Sequence, residues 1–318
     1  MLPPQRSSLR AVIVALRPTH WIKNAFVLAP LIFSGQFVWA SSWWRALMAT
    51  AGFCLLSSAT YLFNDIVDRN YDRQHEEKRN RPIASGEVSV AAAGLLAALL
   101  AAMGLILAAL PAMGLDAPWA LPGTFIFAGG YLLLNVMYSL WLKHHTIIDV
   151  LAVASGFVLR AGGGAAAIAV PISPWLVVCT FMLCLFLAVT KRRVEHQLYD
   201  QNAGALTRPA LKGYTSEELD RLLTVSAALA IMTYSLYCLA PSTIAHVGSG
   251  HLIWTIPLVM YGVFRYERLS RRMILGDVVE ILMRDRVIWI VVILFALLCA
   301  LIIAVGRRGA IAAILAIG

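Results

Sequence analysis

Charge is scarce in this chain. Of its 318 residues only 14% are Asp, Glu, Lys or Arg, while 60% are hydrophobic. A soluble domain of that length needs a polar surface, and this composition excludes one. No soluble domain, low-complexity linker or internal repeat interrupts the apolar pattern. The five cysteines (Cys54, Cys179, Cys184, Cys238, Cys299) all fall inside apolar runs. They lack the spacing of a zinc site or a disulfide framework and read as buried thiols. Residues 1–16 are basic, and the apolar segment after them has no small-residue cleavage site, so a retained first helix is expected rather than a signal peptide. No catalytic triad is evident.

What the chain does have is a series of apolar runs of about 20 residues, the length that crosses about 30 Å of hydrocarbon. They lie near 21–39, 45–66, 88–110, 119–142, 147–168, 173–193, 219–240, 250–268 and 286–306. This predicts an all-α integral membrane bundle of about nine transmembrane helices, with residues 1–318 forming one transmembrane domain. Arg160 interrupts the fifth run, and Pro171-Ile172-Ser173-Pro174 divides the fifth from the sixth.

The formal net charge is +9, which in a soluble protein would suggest nucleic acid. Here 22 of the 26 Lys and Arg lie in the N-terminal segment and in alternate, same-side loops with their flanking helix ends. The opposite loops carry Arg45, Arg160 lies within a run, and Arg307 and Arg308 follow the last one. The positive-inside rule therefore puts the N-terminus and the basic loops in the cytoplasm, and no nucleic-acid partner is expected. Nearly all the acidic residues lie on that side too, which topology does not require. A membrane face rich in both signs suits a charged ligand. The loops about 67–87, 191–218 and 266–285 are expected to cap it.

The second run ends in Asn64-Asp65-Ile66-Val67-Asp68-Arg69-Asn70-Tyr71-Asp72. At 3.6 residues per turn, Asn64, Asp65, Asp68 and Asp72 fall within an arc of about 100°. Three carboxylates facing one way repel and take up protons unless something positive stands between them. An all-oxygen set suits Mg²⁺, which binds through one or two carboxylates completed by substrate phosphates. Acids at a membrane edge are functional by default. Lys78, Arg79 and Arg81 follow, and cations beside such a cluster suit phosphate oxygens.

The run Asn-Asp-x-x-Asp-x-x-x-Asp, followed by Lys78-Arg79-x-Arg81-Pro82-Ile83-Ala84-x-Gly86, resembles the UbiA-type prenyltransferase superfamily, and the likeness extends over about residues 17–305. It implies a nine-helix bundle with a Mg²⁺-diphosphate site on the cytoplasmic side and a lipid-facing channel. It also makes Asp65, Asp68 and Asp72 the catalytic acids, with Asn64 joining them at the metal. The chain departs from that superfamily at helix 6. A second Asp-x-x-x-Asp belongs there, and this chain has Lys191-Arg192-Arg193-Val194-Glu195-His196, with Asp200 beyond. Cations in place of carboxylates suggest an additional anionic group on the substrate, although basic helix ends are also ordinary.

Further segments fit one branch: Trp21-Ile22-Lys23-Asn24 after Arg17-Pro18, Tyr138-Ser139-x-x-Leu142-Lys143, and Asp149 with Arg160 and Gly162-Gly163-Gly164. So does Gly276-Asp277-x-x-Glu280-Ile281-Leu282-x-Arg284-Asp285. The pattern resembles the decaprenyl-phosphate phosphoribosyltransferase branch. That resemblance implies transfer of a phosphoribosyl group from phosphoribosyl diphosphate (PRPP) to a polyprenyl phosphate, in the plasma (inner) membrane of a bacterium, with cell-wall synthesis as the usual setting. It makes Lys23, Asn64, Lys78, Arg79, Arg81, Tyr138, Lys143, Arg160, Lys191, Arg192, Glu195 and Arg284 the substrate-binding set and leaves room for a homo-oligomer.

Arg160 is expected to face the bundle interior and to meet a phosphate or a carboxylate on another helix. Asp149, eleven residues away on the same helix, is about 16 Å off. The glycines after Arg160 are expected to allow close helix packing. Two rival readings remain at this stage. One is an aromatic-acceptor prenyltransferase using an isoprenyl diphosphate; the other is a lipid-phosphate transporter, which leaves the three carboxylates on one arc unexplained.

Overall fold

The structure, a computed structural model, describes residues 8–75, 78–201, 211, 213–273 and 278–315. Among the described residues there is no β-strand. A short helix, α1 (Ser8–Leu16), leads into a 3-10 segment, Pro18–Leu28, and then α2 (Ala29–Phe33). After them come α3 (Ala40–Val67), α4 (Arg69–Gln74), α5 (Pro82–Ser85), α6 (Val90–Ala109), α7 (Ala120–Leu140) and α8 (Ile148–Ala167). The second half holds α9 (Pro174–Gln201), α10 (Ser216–Leu239), α11 (Pro241–Val247), α12 (Ile256–Met273), α13 (Val278–Arg284) and α14 (Arg286–Leu315).

Seven of these helices are long and apolar enough to cross a membrane, and an eighth span is made if α11 and His251–Arg272, bent by 96°, count together. The expected first span, 21–39, is not one helix. Proline explains the break: Pro18 and Pro30 each open a new segment, and Gly35 at φ +68° turns the chain out of α2. The other long helices overlap the remaining apolar runs, α9 and α14 continuing past them to Gln201 and Leu315, and α8 passes through Arg160 intact.

Lipid-facing and buried surfaces separate cleanly along α6. Leu95, Leu99, Met103 and Ile106 form an outward stripe at helical spacing, each more than half exposed. In water such a stripe would drive aggregation; in hydrocarbon it costs nothing. The inner face of α6 instead meets α3, where a Cβ on Gly52 would lie 2.5 Å from the Ala108 backbone nitrogen. Small residues are what let membrane helices approach this closely. One core gathers Val27, Ala49, Phe53, Leu56, Ala108 and Tyr131; a second, around Phe186, Leu223, Tyr266 and Ile281, joins α8 to α10, α12 and α13. Helix ends are fixed locally. Thr215 and Glu218 form a capping box at α10, and Asp285 accepts the Ile288 N–H at 2.8 Å at the start of α14.

Candidate active site

The first polar cluster is built on the end of α3. The helix closes at Val67, with Asp68 as its cap, and α4 opens at Arg69. Helical register survives the join: the Asp68 N–H donates to the Asn64 carbonyl and the Asp72 N–H to the Asp68 carbonyl, both at 2.8 Å. Asn64, Asp65, Asp68 and Asp72 therefore keep the shared face that their spacing requires.

Asp65 and Asp72 are buried, and buried like charges need compensation. Cations from three separate segments meet the carboxylates of this face. Arg17 Nη2 lies 2.6 Å from Asp65 Oδ1. Arg81 Nη1 reaches Asp65 Oδ1 at 3.2 Å and Asp72 Oδ2 at 2.7 Å. The buried Lys143 ammonium donates to Asp68 Oδ1 and reaches Asn64 Oδ1 at 3.5 Å, while Asn64 Nδ2 donates to Asp68 Oδ2 at 3.1 Å. Burial pushes the Asp72 carboxyl up, and the Arg81 guanidinium pulls it back.

Among the described residues no three Asp, Glu, His or Cys side chains converge closely enough to cage a metal ion. Asp65 and Asp72 converge on Arg81 instead, and Asp68 meets Lys143. The donor set still fits Mg²⁺, because its oxygens are hard, lie on one face and need only one or two carboxylates beside substrate oxygens.

The second cluster centres on Arg192, 3% exposed near the end of α9. Its guanidinium donates to Asp149, to Glu195 one turn on, and to the Tyr138 hydroxyl at 2.9 Å. Tyr214 donates its O–H to Asp149 Oδ1 at 2.9 Å and accepts the Ile147 N–H at 2.7 Å. Burial first, and the Asp149 carboxylate second, push the Tyr214 phenol up. His196 donates through Nε2 to the Tyr214 carbonyl at 2.9 Å, so the segment before α10 is pinned to α8 and α9. Both oxygens of Asp149 are thus engaged, one by the Arg192 guanidinium and one by the Tyr214 hydroxyl.

The remaining expected site residues are scattered. Lys23 Nζ lies 3.4 Å from His20 Nδ1 on the 3-10 segment. Lys78 sits over the Tyr71 ring, 5.7 Å from its centroid. Arg79 is exposed, Lys191 is half-buried on α9, and Arg284 is exposed at the end of α13. Gly276 and Asp277 lie outside the described residues, as does the Asp200 side chain.

Arg160 is buried in the bundle, as expected, and the carboxylate half of its expectation is not met. Asp149 is indeed not its partner, but neither is any other carboxylate among the described residues. Its Nε donates to Asn24 Oδ1 at 2.8 Å, Nη1 to the Gly156 carbonyl at 3.1 Å and Nη2 to the Tyr131 hydroxyl at 2.9 Å. The rings of Tyr131 and Phe157 stack on the guanidinium at 4.5 and 4.8 Å. Neutral acceptors and aromatic faces stabilise this cation without a counter-charge.

Sequence reasoning passed over Arg17 and Tyr214. Each acts across 48 or 65 residues of chain, on Asp65 and Asp149 respectively. The available signal was indirect: two buried carboxylates that needed more donors than their neighbours supply.

Comparison with known proteins bears on the whole arrangement. The profile of the UbiA prenyltransferase family matches residues 27–276. A decaprenyl-phosphate phosphoribosyltransferase of Mycolicibacterium smegmatis is 33% identical over 298 residues, covering 90% of each chain. Its Mycobacterium tuberculosis counterpart is 31% identical over 90% of this chain and 91% of its own. Among solved structures, a UbiA homolog from Archaeoglobus fulgidus bound to GPP and Mg²⁺ superposes with a TM-score of 0.63, covering 94% of this chain and 98% of its own. At 19% identity that likeness shows the fold.

Proposed function

The chain belongs to the UbiA prenyltransferase family, and from that premise we propose that this membrane transferase moves a 5-phosphoribosyl group from PRPP to a polyprenyl phosphate, releasing pyrophosphate. The observation that carries the reading is the second cluster. Where a further acidic motif would hold a second share of metal, the chain buries an arginine braced by Asp149, Glu195 and Tyr138. A donor bearing a phosphate besides its diphosphate gives such a cation a use. The relatives that share this chain at 31–33% identity carry the same activity in their names.

Asn64, Asp65, Asp68 and Asp72 would hold Mg²⁺. The ion would offset the charge of the diphosphate leaving group. The Archaeoglobus neighbour, described as bound to Mg²⁺, supports a divalent requirement. Arg17, Arg81 and Lys143, which already meet these carboxylates, are placed to donate to diphosphate oxygens. Lys23, Lys78 and Arg79 add positive charge at the rim. Arg192, Glu195 and Tyr138, with Lys191 beside them, orient the sugar phosphate and hydroxyls. Arg284 and the loops 67–87, 191–218 and 266–285 cap the site. Of those loops, 76–77, 202–210, 212 and 274–277 lie outside the described residues.

The bond from the ribosyl C1 to the diphosphate oxygen breaks as an acceptor phosphate oxygen bonds to C1. That acceptor is ionised near neutral pH, its second pKa being about 6, so no protein base has to take a proton. Catalysis then rests on positioning and on charge placed ahead of the leaving group. The bias of Lys and Arg to one side supports a cytoplasmic site, and the bacterial relatives support a bacterial plasma membrane.

The test is pyrophosphate release by purified protein in detergent. Release that requires PRPP, a polyprenyl phosphate and Mg²⁺ together supports the reading. Movement of the lipid without any pyrophosphate would sink it in favour of transport.

A further inference from the structure

We infer that Arg160 is a positioning residue. It locks the 3-10 segment Pro18–Leu28 into register, and so sets where Arg17, His20 and Lys23 stand at the polar site. This rests on the functional reading above for its consequence in binding, although the lock itself does not.

The segment is unusual in itself. It runs for 11 residues, where 3-10 stretches beyond three or four residues are uncommon because their hydrogen bonds are poorly aligned. Something outside the segment has to hold it, and its contacts fall at one-turn intervals. On α3, Trp21 Nε1 donates to Ser58 Oγ at 2.9 Å. Three residues on, Asn24 Nδ2 donates to Ser57 Oγ at 3.2 Å and meets Cys54 Sγ at 3.3 Å. On α8, Asn24 Oδ1 accepts from Arg160, and at Gly164 the absent side chain admits Val27, whose carbonyl oxygen would lie 2.0 Å from an added Cβ.

Arg160 is the member of this ladder that cannot be replaced by bulk. Its three bonds reach three elements: the 3-10 segment, α7 through Tyr131, and its own helix. Asn24 is fully buried, and its carbonyl has no other donor among the described residues once Arg160 is gone. An orphaned buried acceptor can recover a partner only by moving. The polar end of the segment lies N-terminal to the Asn24 rung. Arg17, at φ +52° just before Pro18, holds Asp65, while His20 and Lys23 stand one and two turns in. A slip at Asn24 moves all three.

The experiment compares wild type, Arg160→Lys and Arg160→Met in detergent by hydrogen exchange and by binding of Mg²⁺-pyrophosphate. Pyrophosphate is released whichever diphosphate donor is used, so it probes the site without presuming PRPP. For Arg160→Met, amides 18–28 should exchange about tenfold or more faster while those of α10 and α12 stay as in wild type, and pyrophosphate should bind about tenfold more weakly. Arg160→Lys, which can still donate to Asn24, should recover part of both effects. Unchanged exchange in 18–28 overturns the inference, and so does exchange that rises equally throughout the molecule. Altered exchange confined to 18–28 with unchanged pyrophosphate binding also overturns it, because the lock would then set nothing at the site. Failure of the wild type to bind Mg²⁺-pyrophosphate would instead strike the functional reading, leaving the lock to be judged by exchange alone.

Discussion

The two polar clusters use the same residue types to opposite ends. At the end of α3, three carboxylates are spread along one face and each meets a cation from a distant segment. At the end of α9, one arginine stands at the centre and carboxylates and phenols close around it. The first arrangement has carboxylate oxygens on a common face and a rim of displaceable cations, Arg17 and Arg81 being a fifth to a quarter exposed. The second is nearly sealed, with Arg192 and Asp149 both almost wholly buried. A sealed charge pair is costly to disturb, because either partner left alone is an uncompensated charge. On the proposed reading, the first cluster exchanges partners when substrate binds, and the second keeps them while presenting its outer edge.

Mutation should expose that difference. The largest expected effect is on turnover at the first cluster. Asp65→Ala should lower the rate of pyrophosphate release at least about 10²-fold, the scale of removing one preorganised electrostatic group. Its melting temperature should fall little, because Arg17 and Arg81 can turn to solvent. Retained activity would remove Asp65 from the site. The second cluster should respond in stability. Arg192→Met leaves Asp149 without its cation and should cost about 3–5 kcal/mol, read as a large drop in thermal midpoint in detergent along with lost activity. A variant that melts like wild type would show that the sealed pair is no structural element.

A smaller effect belongs to the contact between α8 and the 3-10 segment, away from both clusters. Gly164→Ala drives a methyl into the Val27 carbonyl and should destabilise by about 1–3 kcal/mol, while Gly129→Ala, whose Cβ meets nothing within 4 Å, should be silent.

The smallest lies away from both clusters. Asp285 accepts from Arg265 at 2.7 Å and 3.1 Å and caps α14, and the Arg265 bond holds its carboxyl below the usual range. A lowered folded pKa means the contribution is present above the unfolded value, about 4, and is lost as pH falls through the folded value. Asp285→Asn should thus lower the melting midpoint near neutral pH, by roughly 1 kcal/mol in stability, and the gap to wild type should close below about pH 4.

Much of this architecture could be read from the chain. Hydrophobic length alone located α3, α6, α7, α8, α9, α10 and α14, because a span through hydrocarbon must satisfy its own backbone and can do so only as a helix. It could not tell that residues 18–38 divide into two 3-10 pieces around a short helix, since apolar content is blind to hydrogen-bond pattern. The acidic face of Asn64, Asp65, Asp68 and Asp72 was legible because helical spacing is local. The partners of these residues were not. Arg17 comes from 48 residues upstream of Asp65, and Lys143 from 75 residues downstream of Asp68. Arg160 shows the limit most clearly. Its burial could be inferred from cost, but the choice of an amide, a phenol and two rings over a carboxylate is decided by packing between helices.

The central claim is the identity of the donor, and one competition tests it most directly. Purified protein in detergent with Mg²⁺ is offered a polyprenyl phosphate with labelled PRPP and, separately, a labelled isoprenyl diphosphate with an aromatic acceptor. The account predicts Mg²⁺-dependent passage of label from PRPP into the lipid and none from the isoprenyl diphosphate. Label moving only from the isoprenyl diphosphate would contradict it, and would mean that the arginine-centred cluster at the end of α9 serves the fold and not the substrate.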